Sequence, residues 1–479
     1  MSHTRRCRCF HHAGRAGHAL LTRLAVPIAL AALFAAGPGG FSPAAAQVSG
    51  AERMLVLESV DISGNERTPD FVVLRHLDIP AGSAIDADML ERGRMRLLLT
   101  GYFKTVDFST RPGSARGQVV LRIDVDERGN PVVETGFGYH ILNGWFLTLV
   151  GLKLNNVLGA DSQTRVGVRL GFRMFGADAE WRKPFTSSGR WDLGIKLGAY
   201  STEQIFYGPG IEQDSSLTWT GYQQSIGRGG TEVTLGYRFN RRAHMEFGLS
   251  AVTVDPNSSF KRVNDNNELD ATLLPPELQD QLEKRRISGG LLRIYRDTRN
   301  NENYPTGGSF ARLTLNVNGT VLGGDEIFTK TTLDLRKHIR LRGSAVLSSH
   351  AAGGYTTSET PYYENFYLGG NYSVRGFRNW SLSPTGGDNG FWMINEELRW
   401  MLAGRPGNPR LIGLVFVDAG QGWRSGDTLD SDTIDVGAGY GLRLLLPWVG
   451  TLGMDVGIPV TTSPTTDAYQ IHFLLGFSF

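Results

Sequence analysis

In the C-terminal third of this 479-residue chain, the stretch Gly369-Gly-Asn-Tyr-Ser-Val-Arg-Gly-Phe377 sets one guanidinium, Arg375, among glycines and short polar residues. An arginine fork suits a carboxylate, which it can take through two parallel hydrogen bonds. Two acids further along stand on faces that such an arginine could reach. Asp418, within "FVDAGQGW", shares its period-2 face with Gly420 and Gly422, and Glu397 falls with Asn395 and Arg399 opposite Trp392, Ile394, Leu398 and Trp400. Glu396 lands among the apolar residues, which calls for a place near a rim or a local bulge. The arginine therefore has two options: a solvated turn, or a loop folded back onto acids carried by strands. Chemistry of other kinds finds little support. The chain has no Gly-x-Ser-x-Gly, no His-Glu-x-x-His and no phosphate loop. Beyond the first fifty residues His76, His140, His244, His338, His350 and His472 are scattered, as surface or interior residues rather than ligands. "NDNNELD", Asn264 to Asp270, lacks the glycine a calcium loop requires.

The elements that position these residues begin after a leader. Arg5, Arg6, Arg8, Arg15 and Arg23, the apolar run Leu24 to Ala36 and Ala44-Ala45-Ala46 describe an export signal over residues 1–46. The run is too short to span a membrane as a helix. Cleavage would remove both cysteines, Cys7 and Cys9, and change 49 basic residues against 47 acidic into 44 against 47. The mature chain is then cysteine-free and slightly acidic, so the sequence pI near 8.4 is no sign of nucleic-acid binding.

Residues 50–128 read as a small α/β module. Met54 to Ile62 is strand-like, and Thr68-Pro69 predicts a helix start, with Phe71, Leu74 and Leu77 along one face. Asp86 caps a second helix with Leu90, Leu97 and Leu98 on one face. "YFKTVDFS" opens a strand, and Val119, Leu121, Ile123 and Val125 alternate with Val120, Arg122, Asp124 and Asp126 in another.

From residue 131 to 479 the pattern is period 2 throughout, rich in Gly, Tyr, Phe and Trp, with a short helix in "PPELQDQLEKRR". Ile434, Val436, Ala438, Tyr440, Leu442, Leu444 and Leu446 oppose Asp435, Gly437, Gly439, Gly441 and Arg443. Leu452, Met454, Val456, Ile458 and Val460 oppose Gly453, Asp455 and Gly457. Apolar residues facing lipid, with glycine and charge facing a wet interior, describe a transmembrane antiparallel β-barrel rather than a sandwich. About 12 to 18 strands fit at roughly 9–11 residues each plus connections. Short periplasmic turns and long outer loops alternate in such barrels. Counting back from Phe479 puts a connection at about Gly370 to Gly390, with Arg375 in it, on the outer side.

"SVRGF" (Ser373 to Phe377), "EELRW" (Glu396 to Trp400) and "FVDAG" (Phe416 to Gly420) stand in an order that resembles the BamA/TamA outer-membrane assembly superfamily, the bacterial surface antigen proteins related to two-partner secretion transporters. "RDTRNNENYPTGGSF" (Arg296 to Phe310) is similar to its Asp-x-Arg…Pro-x-x-Gly segment, and "LLLTGYFKTVDFS" (Leu97 to Ser109) resembles a POTRA module. The resemblance implies a barrel of 16 strands preceded by one small α+β POTRA-like domain in the periplasm. It also implies an inward loop with Val374, Arg375, Gly376 and Phe377, in which Arg375 bonds Asp418, with Glu397 as second acceptor. Phe473, Leu475, Phe477 and Phe479 would form the terminal assembly signal, and the strands near Pro131–Leu142 and Gln470–Phe479 a seam.

The function that follows is insertion or export of client proteins at the outer membrane, without enzyme activity, cofactor or metal. The expected partners are outer-membrane lipids, an unfolded client, and periplasmic chaperones or an accessory protein; nucleic acid is not among them. Room for one POTRA-like module points to a narrow client range or an accessory role. A diffusion channel is the alternative, against which the module counts.

Overall fold

The structure is a computed structural model describing residues 55–140, 144–171, 174–186, 188–206, 222–262, 268–269, 276–301, 304–405, 408–446, 450–461 and 467–475. The expected leader, together with Phe477 and Phe479, lies outside them, and Leu475 is described by its backbone alone.

The N-terminal module runs β1 (Leu55–Ser63), α1 (Asp70–Leu77), β2 (Ala84–Ile85), α2 (Ala87–Leu99), β3 (Phe103–Pro112) and β4 (Gln118–Glu127). Its sheet order is β2-β1-β4-β3, with β1 parallel to β4 and the other pairs antiparallel. Asp86 accepts from the Met89 amide at 2.6 Å and starts α2. Leu57, Val72, Val73, Leu77, Leu97, Phe103, Leu121 and Ile123 form a solvent-free core.

Two expectations for α1 need correction. Its buried face is Val72, Val73 and Leu77, whereas Phe71 and Leu74 are exposed. The β-branched pair packs on the sheet, and Phe71 turns outward beneath the Arg75 guanidinium, 5.4 Å from the ring centre. Thr68 also does not cap the helix, because Pro69 occupies that position without a side-chain bond. The Thr68 hydroxyl instead accepts from Asn156 at 2.9 Å.

The remainder is a closed barrel of 16 principal strands. The first eight strand labels are β5 (Val132–His140), β6 (Gly144–Asn155), β7 (Gln163–Gly171), β8 (Met174–Pro184), β9 (Trp191–Phe206), β10 (Tyr222–Asn240), β11 (Ala243–Arg262) and the two-residue β12 (Glu268–Leu269). There follow β13 (Arg285–Asp297), β14 (Gly308–Asn318), β15 (Phe328–Arg340), β16 (Val346–Thr356) and β17 (Gly390–Arg405). The last four are β18 (Asn408–Trp423), β19 (Asp435–Leu446), β20 (Gly450–Pro459) and β21 (Gln470–Leu475). β12 rides on the end of β11, β11 pairs directly with β13, and β21 closes on β5.

Alternation sorts the two faces. Tyr440, Leu442, Leu444, Met454 and Ile458 are exposed, while Gly437, Gly441, Arg443, Gly453 and Asp455 are buried. No helix among the described residues is long and apolar enough to cross a membrane. The small module enters β5 from its N-terminal end, so alternate turns return to its side. Turns near 161, 186 and 241 all touch it. The connection bearing Arg375 runs from 357 to 389 on the opposite side, beginning earlier than the expected Gly370.

Glu396 needs neither a bulge nor an inward turn. The β16–β17 ladder is regular there, pairing Glu396 with Ser349, whose hydroxyl donates to the carboxylate at 2.7 Å. Ser349 is three residues from the module-side end of β16, a boundary level where water can reach an outward acid. The helix expected in "PPELQDQLEKRR" is a single turn, Pro276–Gln279.

Candidate functional site

The 357–389 connection is shaped by its glycines. Gly369, Gly370 and Gly376 have φ of 108°, 93° and 100°, where a side chain is strained. The Gly370 amide donates to the Val374 carbonyl at 3.1 Å, and the Ser373 amide to that of Gly370 at 3.1 Å, so the motif is a tight turn. Phe366 and Asp388 pair as an antiparallel bridge at its base, and Tyr367 stacks on Trp380 at 4.9 Å.

At the turn's tip Arg375 has no solvent exposure. Its Nε donates to Asp418 Oδ2 at 2.7 Å and its Nη2 to Oδ1 at 2.8 Å, a two-pronged bond, while its backbone amide donates to Oδ2 at 3.0 Å. Nη1 donates to Glu397 Oε1 at 2.5 Å and to Asp455 Oδ2 at 3.1 Å. The guanidinium also lies 3.5 Å from the centre of the Phe416 ring.

The acids have further partners. Arg399 Nε donates to Glu397 Oε2 at 2.6 Å, and Arg443 Nη1 and Nη2 donate to the two Asp455 oxygens at 2.5 and 2.8 Å. Three buried arginines thus meet three buried carboxylates, all without exposure. The cluster is neutral as a whole, the condition under which buried charge is tolerated. β17 contributes Glu397 and Arg399, β18 Asp418, β19 Arg443 and β20 Asp455. Asp455, Arg443 and Arg399 were not singled out in the sequence, although parity put Asp455 and Arg443 on the glycine-bearing face and Arg399 on the face of Glu397.

Those glycines have a physical reason. A Cβ on Gly437 would run into the Arg375 carbonyl oxygen, and one on Gly457 into the Gly376 amide. One on Gly441 would collide with the Asp455 carboxylate. β19 and β20 carry glycine where the loop backbone and the ion cluster need the space.

The loop also holds the last strand. Asn371 Nδ2 donates to the Phe473 carbonyl at 3.0 Å, and the Gly376 amide to His472 Nε2 at 3.2 Å. Arg378 grips Asp467 with two bonds of 2.7 and 2.9 Å. At its other end the loop meets β10, where Arg228 binds Glu364 at 2.5 Å and Gln224 accepts from the Tyr362 hydroxyl at 2.7 Å. Val374 and Phe377 are buried in between, and Phe473 points outward. Asp388 is buried at the loop's base. Desolvation pushes its carboxyl up to about 7, although Ser383 donates to it at 2.5 Å.

Two further sites lie on the module side. In the Asp-x-Arg segment Arg299 folds onto Asp297 with bonds of 2.7 and 3.1 Å, closing the β13–β14 turn. Asp161, buried in the β6–β7 turn, receives Arg75 at 2.5 Å, His76 at 3.1 Å and the Tyr102 hydroxyl at 2.8 Å. Burial opposes its ionisation, but the His76 and Tyr102 hydrogen bonds and the Arg75 charge outweigh it and hold the carboxyl below its usual range. Sequence reading gave no hint of Asp161, because its partners are about 60 to 86 residues away.

An Omp85 superfamily domain matches residues 156–479, and a surface antigen variable number repeat, the POTRA family, matches 56–128. The chain is 24% identical over 421 residues to the outer membrane protein assembly factor BamA of Nitratidesulfovibrio vulgaris, covering 84% of this chain and 48% of that protein. The BamA of Neisseria meningitidis is 22% identical, with 57% of its length covered, so the chain spans about half the length of the curated relatives it matches. Among solved structures, BamA from Haemophilus ducreyi lacking POTRA domains 1–3 superposes with a TM-score of 0.63 at 18% identity, covering 88% of this chain and 84% of that one. With the barrel match spanning more than half of its length behind a POTRA module, the chain belongs to the Omp85 superfamily, outer-membrane barrels with periplasmic POTRA domains.

Proposed function

We propose that this protein inserts or exports client proteins at the outer membrane, and that its VRGF loop folds into the barrel as a brace on the C-terminal strands beside the seam. The observation that carries this reading is the Arg375 cluster, in which one loop residue engages acids from β17, β18 and β20 at once. A solvated loop would have no use for three buried carboxylates, whose desolvation is costly without such a partner. The loop's contacts with β10 at one end and β21 at the other support a segment that crosses the lumen.

The brace has a mechanical consequence. Strands β17 to β20 are joined by ladder bonds and again through Arg375, so they move as one body. β21, gripped by Asn371, Gly376 and Arg378, moves with them. Relative motion then concentrates where β21 meets β5, and a client strand would be received there by edge pairing. The POTRA module, fixed to the neighbouring turns through Asp161, would deliver the client on that side.

Depletion of the protein followed by outer-membrane proteomics tests the reading. Loss of several barrels indicates general assembly, and loss of one exported protein a dedicated transporter. An unchanged proteome with altered solute permeability would replace the proposal with a diffusion channel.

A further inference from the structure

A cavity of about 690 Å³ opens where the β10–β11 turn meets the POTRA module, lined by Asp78, Asn240, Arg241, Arg242, Ala243 and Arg296. We infer that it takes the phosphodiester of a phospholipid headgroup in the leaflet facing the periplasm. Three guanidinium groups stand against one carboxylate. Asp78 is already engaged by Arg241. Among the described residues Arg242 and Arg296 enter no ion pair, and both are exposed. Two arginine forks without an acid partner suit a phosphate, whose oxygens they can take two at a time.

The position of the cavity decides the source of the phosphate. Along β11, His244 and Glu246 are buried inward, while Phe247 and Leu249 are exposed on the outer wall. Ala243 has the parity of the outer set and pairs with Arg296, so Arg296 stands at the foot of the lipid-facing wall. Just above it on β9 and β10 are Trp191, Tyr237 and Phe239. Trp191 lies 4.8 Å from Tyr237, and Tyr237 5.0 Å from Phe239, centre to centre. Phe239 is half exposed. Aromatic girdles of this kind mark the headgroup level of a barrel's apolar band. Guanidinium groups one turn beyond the girdle lie at the depth of lipid phosphates. A free phosphate would have no reason to prefer this wall. Because Asp78 closes α1 and shares the cavity, an occupied site ties the POTRA module to the membrane surface as well as to the barrel.

The test uses the full-length protein in detergent micelles, with retained phosphatidylglycerol counted by native mass spectrometry. Arg242→Gln combined with Arg296→Gln should weaken retention roughly twenty-five-fold, at about five-fold for each arginine near a lipid surface. The control pair Arg405→Gln and Arg410→Gln, in the β17–β18 hairpin, should retain the lipid as the unaltered protein does. Heat-modifiable gel mobility establishes that each barrel is folded. Equal retention by the Arg242/Arg296 variant and the unaltered protein overturns the inference. So does displacement of the lipid by inorganic phosphate as effectively as by phosphatidylglycerol vesicles, which would mark a simple anion site.

Discussion

Replacing Arg375 by alanine should cost far more than the loss of a loop arginine ordinarily does. Of its three acids, Glu397 keeps Arg399 at 2.6 Å and Asp455 keeps Arg443 at 2.5 Å. Asp418 keeps only the backbone amide of residue 375: its charged partner and both side-chain bonds, through Nε and Nη2, are lost with the guanidinium. The penalty therefore concentrates on one carboxylate stranded without solvent, worth about 3–5 kcal/mol. That is a change of roughly two to three and a half orders of magnitude in the unfolding equilibrium. Adding Asp418→Asn to Arg375→Ala removes the stranded charge and should recover about 2 kcal/mol, leaving the smaller cost of an imperfectly bonded amide. Arg375→Lys should fall between, since an ammonium cannot supply the two-pronged bond. Urea titration of the full chain refolded into phosphatidylcholine liposomes, read by heat-modifiable gel mobility, measures each variant. If Arg375→Ala shifts stability by less than about 1 kcal/mol, the figure for an exposed pair, and Asp418→Asn brings no recovery in its background, the buried-cluster reasoning is wrong.

Gly437→Ala should dislodge the loop, because its new Cβ meets the Arg375 carbonyl. Limited proteolysis between 357 and 389 should speed up, while Gly290→Ala, with open space around it, stays at the rate of the unaltered protein. Asp161→Asn should loosen the POTRA module from the barrel by about 3 kcal/mol, by leaving Arg75 without its carboxylate; hydrogen exchange at residues 68–76 reads this directly. The same interface has a signed pH dependence. The Asp161 carboxyl is depressed in the folded protein, so its contribution is complete above the ordinary carboxylate range and is lost only as pH falls below about 4. Asp388 behaves in the opposite sense. Its carboxyl is raised by burial from 3.8 to about 7, so ionisation weakens the loop base progressively as pH climbs through that interval. Protection of the amides at residues 366–388, corrected for the intrinsic rise of exchange rate with pH, should be higher at pH 5 than at pH 8, and Asp388→Asn should flatten the difference.

What the sequence determined by itself is the class of the fold and the faces of its strands. Period-2 alternation is a local property, so the parity of Asp418, Glu397, Arg399, Arg443 and Asp455 is already written in their own segments. The glycines of β19 and β20 announced unusual space on that same face. Helix α1 marks the limit of local reading: Phe71, Leu74 and Leu77 satisfy a helical stripe as well as Val72, Val73 and Leu77 do. Only the position of the sheet selects between them. The tertiary structure alone decided which charges meet. Asp455 reaches Arg375 from 80 residues away, and Asp161 reaches Arg75 from 86, through ladder registers that no single segment encodes. A one-residue slip would reverse every side chain between lumen and lipid. Parity can therefore be read along one strand, whereas the three-arginine, three-carboxylate cluster exists only when four strands are held in register around the loop.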